Sequence, residues 1–150
     1  MAQLIHKNGG LFSKIKAAKN TAEVKAMFDI AASAYWETHY RLGVSTESKL
    51  KHLGDTTTDV LIINAVAPLL FCYGKLHKDE SVCETAMQFL EETEAEDNAI
   101  IRHFAQCGVT AENAMQTQAL LHLYSYFCKR KRCLECRIAN VLLHKTNPTS

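Results

Sequence analysis

The segment Phe127-Cys128-Lys129-Arg130-Lys131-Arg132-Cys133-Leu134-Glu135-Cys136-Arg137 gathers the residue types best suited to chemistry in this chain. Its cysteines, Cys128, Cys133 and Cys136, stand at C-x4-C-x2-C spacing between two predicted helices. A C-x-x-C turn carries both sulfurs to one side, where they can serve one metal, and neighbouring cations favour the thiolate that binds metal or reacts. A closed zinc site or an iron–sulfur cluster wants four ligands. Cys107, at another helix end, is the residue placed to supply the fourth. His122 lies about two turns before Cys128 on the same predicted helix, too far along the axis to share a metal with it. His144 has the same difficulty relative to Cys136. Two other uses compete with a metal site. The thiols can pack as small apolar groups around a helix start, or one can serve as a redox or reactive thiol.

The same segment is a basic patch. Lys129, Arg130, Lys131, Arg132 and Arg137, with Lys145 beyond, concentrate positive charge near the C-terminus. Each phosphate contact by such a residue adds salt-dependent affinity without sequence information. Tyr124, Tyr126 and Phe127 offer stacking faces beside it. Cations at a helix C-terminus also complement its dipole, or can face the acidic stretch Glu91, Glu92, Glu94, Glu96 and Asp97. That acidic stretch lacks the alternating spacing and glycine of a calcium loop, and it reads as a solvated turn.

A third group, Tyr35-Trp36-Glu37-Thr38-His39-Tyr40-Arg41, holds the single tryptophan. Read as a helix, it sets Trp36 beside Tyr40 and Tyr35 beside His39, one turn apart. These residues form either an interaction surface or an aromatic anchor with its polar tips at the rim. His39 is the one proton carrier the sequence offers to an enzymatic reading. No Ser/His/Asp order, phosphate-cradling glycine loop or HExxH pattern occurs.

Composition bounds what must position these groups. The chain has 150 residues, 47% hydrophobic and 22% charged, with a formal charge of +1. That suits one compact domain with a real core, excludes collagen-like and low-complexity classes, and makes any electrostatic argument local. No charged-then-apolar leader opens it, and no apolar run reaches the ~18 residues of a membrane helix, so no membrane contact is expected. Six cysteines without a secretion signal read as thiols or metal ligands in a cytoplasmic setting.

Helical periodicity dominates. Val24, Met27, Phe28 and Ala31 follow Thr21 as predicted N-cap. Cys83, Ala86, Met87 and Leu90 repeat the spacing behind a Ser81/Glu84 capping box. A Thr93/Glu96 box opens the next helix, with Ile100, Phe104 and Cys107 on its apolar face and Gly108 ending it. Leu120, Leu123, Tyr124 and Phe127 mark another helix, and Ile138, Val141 and Leu142 a last short one. Val60 to Tyr73 is apolar nearly all round and predicts a buried central helix, kinked or restarted at Pro68, with Asn64 hydrogen-bonded to another helix. Gly43 to Thr58 reads as the longest irregular connection. The opening Ala2 to Lys7 is too short to be stable alone, and the tail after Lys145 should fray.

Three stretches carry a resemblance: Phe28 to Gly43 with its YWETHYRLG core, Ile63 to Gly74 (INAVAPLLFCYG), and Arg132 to Leu143 (RCLECRIANVLL). In this order they resemble the C-terminal helical region of the uncharacterised bacterial family called domain of unknown function 2851, over Leu11 to about Lys145. The resemblance implies a preceding strand-rich domain with acidic and Glu-x-His motifs like a nuclease core. None of those motifs is in this chain, so nuclease chemistry is not assigned to it, and residues 1–10 read as the end of an upstream domain. The resemblance singles out Tyr35, Trp36, His39, Tyr40, Asn64, Pro68, Gly74, Cys128, Cys133 and Cys136.

The sequence therefore predicts one all-α domain spanning the chain, a bundle of about seven helices around a central apolar helix. Its leading function is a non-catalytic accessory module, beside a nuclease-like partner domain or other protein, touching nucleic acid through the basic cysteine-bearing loop. The alternative is a structural metal module holding zinc or an iron–sulfur cluster. The third is a stand-alone enzyme using His39.

Overall fold

The computed structural model describes the backbone of residues 9–145 and the side chains of residues 9–141. The opening segment Ala2 to Lys7, the tail after Lys145, and the side chains of Leu142 and His144 lie outside them. The described residues are all-α apart from one small hairpin, and the chain divides into two compact units, 1–93 and 94–150.

Unit 1 begins with α1 (Leu11–Ala17), α2 (Thr21–Phe28) and the single turn α3 (Ala34–Glu37). An antiparallel hairpin follows, β1 (His39–Arg41) and β2 (Val44–Ser45), with His39 opposite Ser45 and Arg41 opposite Val44. The unit closes with α4 (Asp55–His77) and α5 (Glu80–Glu92). Val24 and Phe28, one turn apart on α2, meet Ile62, Val66 and Leu70 of α4 and Val82, Ala86 and Phe89 of α5 in one core, closed by Ile15 and Ala18. Val24 and Phe28 belong to the face the sequence predicts for α2, though Ala31 lies past that helix's end, whereas α5 turns Val82, Ala86 and Phe89 inward and leaves Met87, predicted on its apolar face, exposed. Each helix stabilises chiefly by packing such a face.

α4 is central to this unit but not buried all round. Ile62, Ile63, Val66, Ala67 and Leu70 face the core, whereas Val60, Leu69, Phe71 and Leu76 are exposed. Pro68 does not break the helix. It sits at the start of an α-helical segment, Ala67–His77, immediately after a π-helical turn, Ile62–Val66, where the Ala67 N–H donates to the Ile62 carbonyl. The wider turn suits a sequence lacking the donor at position 68. Asn64 is exposed, and its Nδ2 donates to the Val60 carbonyl of its own helix at 3.0 Å, not to another helix. Among the described residues α4 alone is long and apolar enough to cross a membrane by length and composition, because helical order extends over 23 residues, well past the apolar run itself. Core helices of globular proteins pass the same test, and here α4 supplies the unit's core.

Helix starts lie one to five residues from the predicted caps. Asn20, not Thr21, caps α2, its Oδ1 accepting from the Glu23 N–H at 2.9 Å. Asp79, not Ser81, caps α5, accepting from the Val82 N–H and the Ser81 hydroxyl. Asn98, not Thr93, caps α6. In each case an Asn or Asp stands where its carboxyl or amide oxygen reaches the N2 or N3 donor. Thr93 is buried, and its hydroxyl donates to the Phe89 carbonyl at 2.6 Å.

Unit 2 contains α6 (Ala99–Gln106), α7 (Ala114–Leu123) prolonged by a π-helical turn (Tyr124–Cys128), a 3-10 turn (Cys133–Glu135) and α8 (Arg137–Lys145). Eight helices are thus present among the described residues. Ile101, Ala114, Thr117 and Cys136 are its buried residues among those described. Ile101, not Cys107, anchors α6, and Cys107 is exposed. Gly108 ends α6 as predicted, at φ 83. Its N–H donates to the Ala105 carbonyl and the next N–H to the Phe104 carbonyl, the paired bonds of a Schellman motif.

Candidate functional site

The π-helical end of α7 and the turn after it set the geometry of the basic segment. The Arg132 N–H donates to the Phe127 carbonyl at 2.9 Å and the Lys131 N–H to the Cys128 carbonyl at 3.1 Å. This is a second Schellman motif, with Lys131 in the left-handed position at φ 52. The hydrogen-bonded turn therefore fixes where the lysines and arginines leave the backbone.

Their side chains divide by role. Arg132 makes a two-pronged pair with Glu135, Nε to Oε1 at 3.0 Å and Nη2 to Oε2. Its guanidinium also stands 4.5 Å from the Tyr126 ring centre. The Glu135 hydrogen bonds, and then Tyr126, raise the Arg132 pKa above its ordinary value, and the Arg132 hydrogen bond lowers that of the Glu135 carboxyl. Arg130 lies 5.3 Å from the same ring, which also stacks with His122 at 5.5 Å. Tyr126 thus holds arginines, and Phe127 meets it edge-on. Lys129, Lys131 and Arg137 are exposed and have no acidic side chain within ion-pair distance among the described residues. Part of the acidic stretch is engaged elsewhere. Asp97 pairs with Arg102 at 2.8 Å, and Glu96 accepts from Gln118.

The cysteines divide as well. Cys128 ends the π-helical turn and is exposed, Cys133 opens the 3-10 turn and is exposed, and Cys136 is buried just before α8. Among the described residues no three His, Cys, Asp or Glu side chains converge as metal ligands would. C-x4-C spacing could not foresee the Schellman turn standing between Cys128 and Cys133.

The aromatic group is not one helix. α3 ends at Glu37, and His39 and Tyr40 lie in β1, so Trp36 and Tyr40 do not share a helical face. The Leu42-Gly43 turn, with Gly43 at φ 73, reverses the chain, and the Tyr35 hydroxyl accepts from the Gly43 N–H at 3.1 Å. Tyr35 and His39 do meet, stacked at 4.1 Å and 9°. His39 Nδ1 lies 2.9 Å from both the Tyr35 carbonyl and the Thr38 hydroxyl. Trp36 meets Tyr35 edge-on, and Lys51 covers Tyr40 at 3.5 Å while donating to the His39 carbonyl. Tyr35, Trp36, Tyr40, Leu42, Val44, Leu50 and Leu53 are all exposed.

Sequence reasoning missed three features. Glu92, at the C-terminal end of α5, accepts from the Thr21 N–H at 2.8 Å, the Thr21 hydroxyl and the Gln88 amide. It thereby serves the positive end of α2, and although desolvation opposes it, these bonds lower its pKa. The second feature is the cluster of His122, Arg130 and Arg132 on the Tyr126 ring, with Arg132 paired to Glu135, which the i,i+3 and i,i+4 spacings of Arg132–Glu135, His122–Tyr126 and Tyr126–Arg130 made readable. The third is an open apolar cavity of about 180 Å³, lined by Phe12, Phe28, Ala65 and Leu69 among others, on unit 1.

A family model described as "Protein of unknown function (DUF2851)" matches residues 1–99. No curated protein and no solved structure matches the chain. The match takes in the hairpin, the Ile63 to Gly74 stretch and Gly74 itself, while the basic turn and its cysteines lie beyond it. A match over that much of the sequence is decisive: the chain belongs to the DUF2851 family.

Proposed function

We propose that this chain is a binding module, not a catalyst, and that the turn at 129–132 contacts the phosphate backbone of a nucleic acid. The observation that supports this most is the division of charge around the turn. Arg132 is held by Glu135 and Tyr126, whereas Lys129, Lys131 and Arg137 are exposed without an acidic partner among the described residues. A helix dipole is complemented by one or two cations, for roughly 0.3–1 kcal/mol each, so it leaves most of this charge without a use. Phosphate contact uses all of it, and the hydrogen-bonded turn limits the ordering entropy that such contact costs.

The test is fluorescence anisotropy with a labelled oligonucleotide at low ionic strength. Lys129→Glu with Lys131→Glu should abolish binding, while Lys14→Glu with Lys49→Glu, an equal charge change on exposed residues elsewhere, should leave most of it. Equal loss from both pairs would reduce the effect to net charge, and unchanged binding by the first pair would remove the proposal.

A further inference from the structure

Among the described residues the cysteines beside the basic turn are not grouped with other ligands as a metal site would need, yet two of them suit a different chemistry. Residues 133–135 form a 3-10 turn, closed by the Cys136 N–H donating to the Cys133 carbonyl at 3.1 Å. With about three residues and ~6 Å of rise per turn, this geometry eclipses side chains at i and i+3. Cys133 and Cys136, at the two ends of this turn, therefore stand with their α-carbons about 6 Å apart, inside the span a disulfide bridges. Their environments differ: Cys133 is exposed, whereas Cys136 is only 7% exposed. Cys136 also occupies the N-cap position of α8, its carbonyl accepting from the Asn140 N–H at 2.9 Å, so its backbone is anchored.

We propose that Cys133 and Cys136 form a reversible redox dithiol, Cys133 as the attacking thiol and Cys136 as the resolving one, with a small-molecule disulfide of the glutathione type as oxidant. The Cys133 thiol gives its proton to solvent, and its thiolate attacks one sulfur of the oxidant. The oxidant's S–S bond breaks, one thiolate leaves and takes up a proton, and a mixed disulfide remains on Cys133. The Cys136 thiolate then attacks Cys133 Sγ, the protein disulfide forms and the second small thiol departs. Two cysteine thiols are oxidised, and one small disulfide is reduced to two thiols. The exposed member must react first, because the oxidant cannot reach the buried one. The proposal is independent of nucleic-acid binding.

The chain cleaves with trypsin after Arg132 and Arg137, so both residues fall in one peptide, CLECR. After incubation of the intact protein with oxidised glutathione, this peptide should resist alkylation and be lighter by two hydrogens, and dithiothreitol should restore both thiols. Cys136→Ser should accumulate one glutathione on Cys133, and Cys133→Ser should leave Cys136 unmodified. The wild-type mapping decides the matter even if a variant folds poorly. A peptide alkylated at both cysteines, a bridge from Cys133 to Cys128, or equal glutathione uptake by both variants would overturn the proposal.

Discussion

At Gly74 the first turn of α5 and its cap approach α4 closely, and Gly74→Ala tests that packing directly. A methyl carbon built at this position would sit 2.6 Å from Cys83 Sγ, 2.8 Å from the Asp79 carbonyl oxygen and 3.0 Å from the Cys83 nitrogen. Ordinary contacts there begin near 3.4 Å, so the helices must part by several tenths of an ångström. Two of the three neighbours are backbone, which cannot turn aside. The Asp79 N–H, moreover, closes the Schellman motif on the Gly74 carbonyl at 2.9 Å, and any shift of Asp79 weakens it. Overpacking of this kind costs about 2–3 kcal/mol, offset by roughly 0.5–1 kcal/mol of improved helix propensity. The net loss of about 1.5 kcal/mol corresponds to a Tm lower by roughly 5–10 °C for a unit of this size. Thermal unfolding followed by far-ultraviolet circular dichroism measures it. Adding Cys83→Ala removes the nearest atom and should restore part of the loss. A Gly74→Ala protein as stable as wild type would refute the close approach of α4 and α5.

Two further outcomes follow from backbone and charge. Lys78 ends α4 in the left-handed region at φ 54, which costs a non-glycine residue about 1 kcal/mol. Lys78→Gly should therefore raise stability by roughly 0.5 kcal/mol after glycine's greater unfolded-state entropy is subtracted, and Lys78→Ala should not, as denaturant midpoints would show. Glu92 is held below its ordinary value of 4.5, so its contribution to stability is fully present above that pH and is lost as pH falls through the lower, folded value. Glu92→Gln should cost about 1 kcal/mol near neutrality and flatten the stability profile below pH 4.5, measured by urea unfolding across pH.

How much of this was legible in the sequence depended on the range of the interactions. The α2 face of Val24 and Phe28, and the glycine stop at Gly108, are local and were read correctly. Caps were misplaced by one to five residues because adjacent residues such as Asn20 and Thr21 are both capping types, and only geometry chooses between them. The hairpin was missed because a three-residue strand carries no period, although Gly43 at its turn was visible. Asn64 was expected inside because its neighbours are apolar, but α4 exposes one of its faces, and the amide satisfies itself on Val60. Glu92 could not be placed, since its partner Thr21 is 71 residues away. At the basic segment the composition was plain. The division between engaged Arg132 and the exposed lysines arose from a turn that charge counting does not reveal.

The most direct measurement is the affinity of the wild-type chain for a duplex oligonucleotide across a tenfold range of salt. If Lys129, Lys131 and Arg137 contact phosphates, the logarithm of the binding constant should fall linearly with the logarithm of salt, with a slope of about −2 to −3. Binding that ignores salt, or no binding at the lowest ionic strength, would contradict a phosphate-contacting turn.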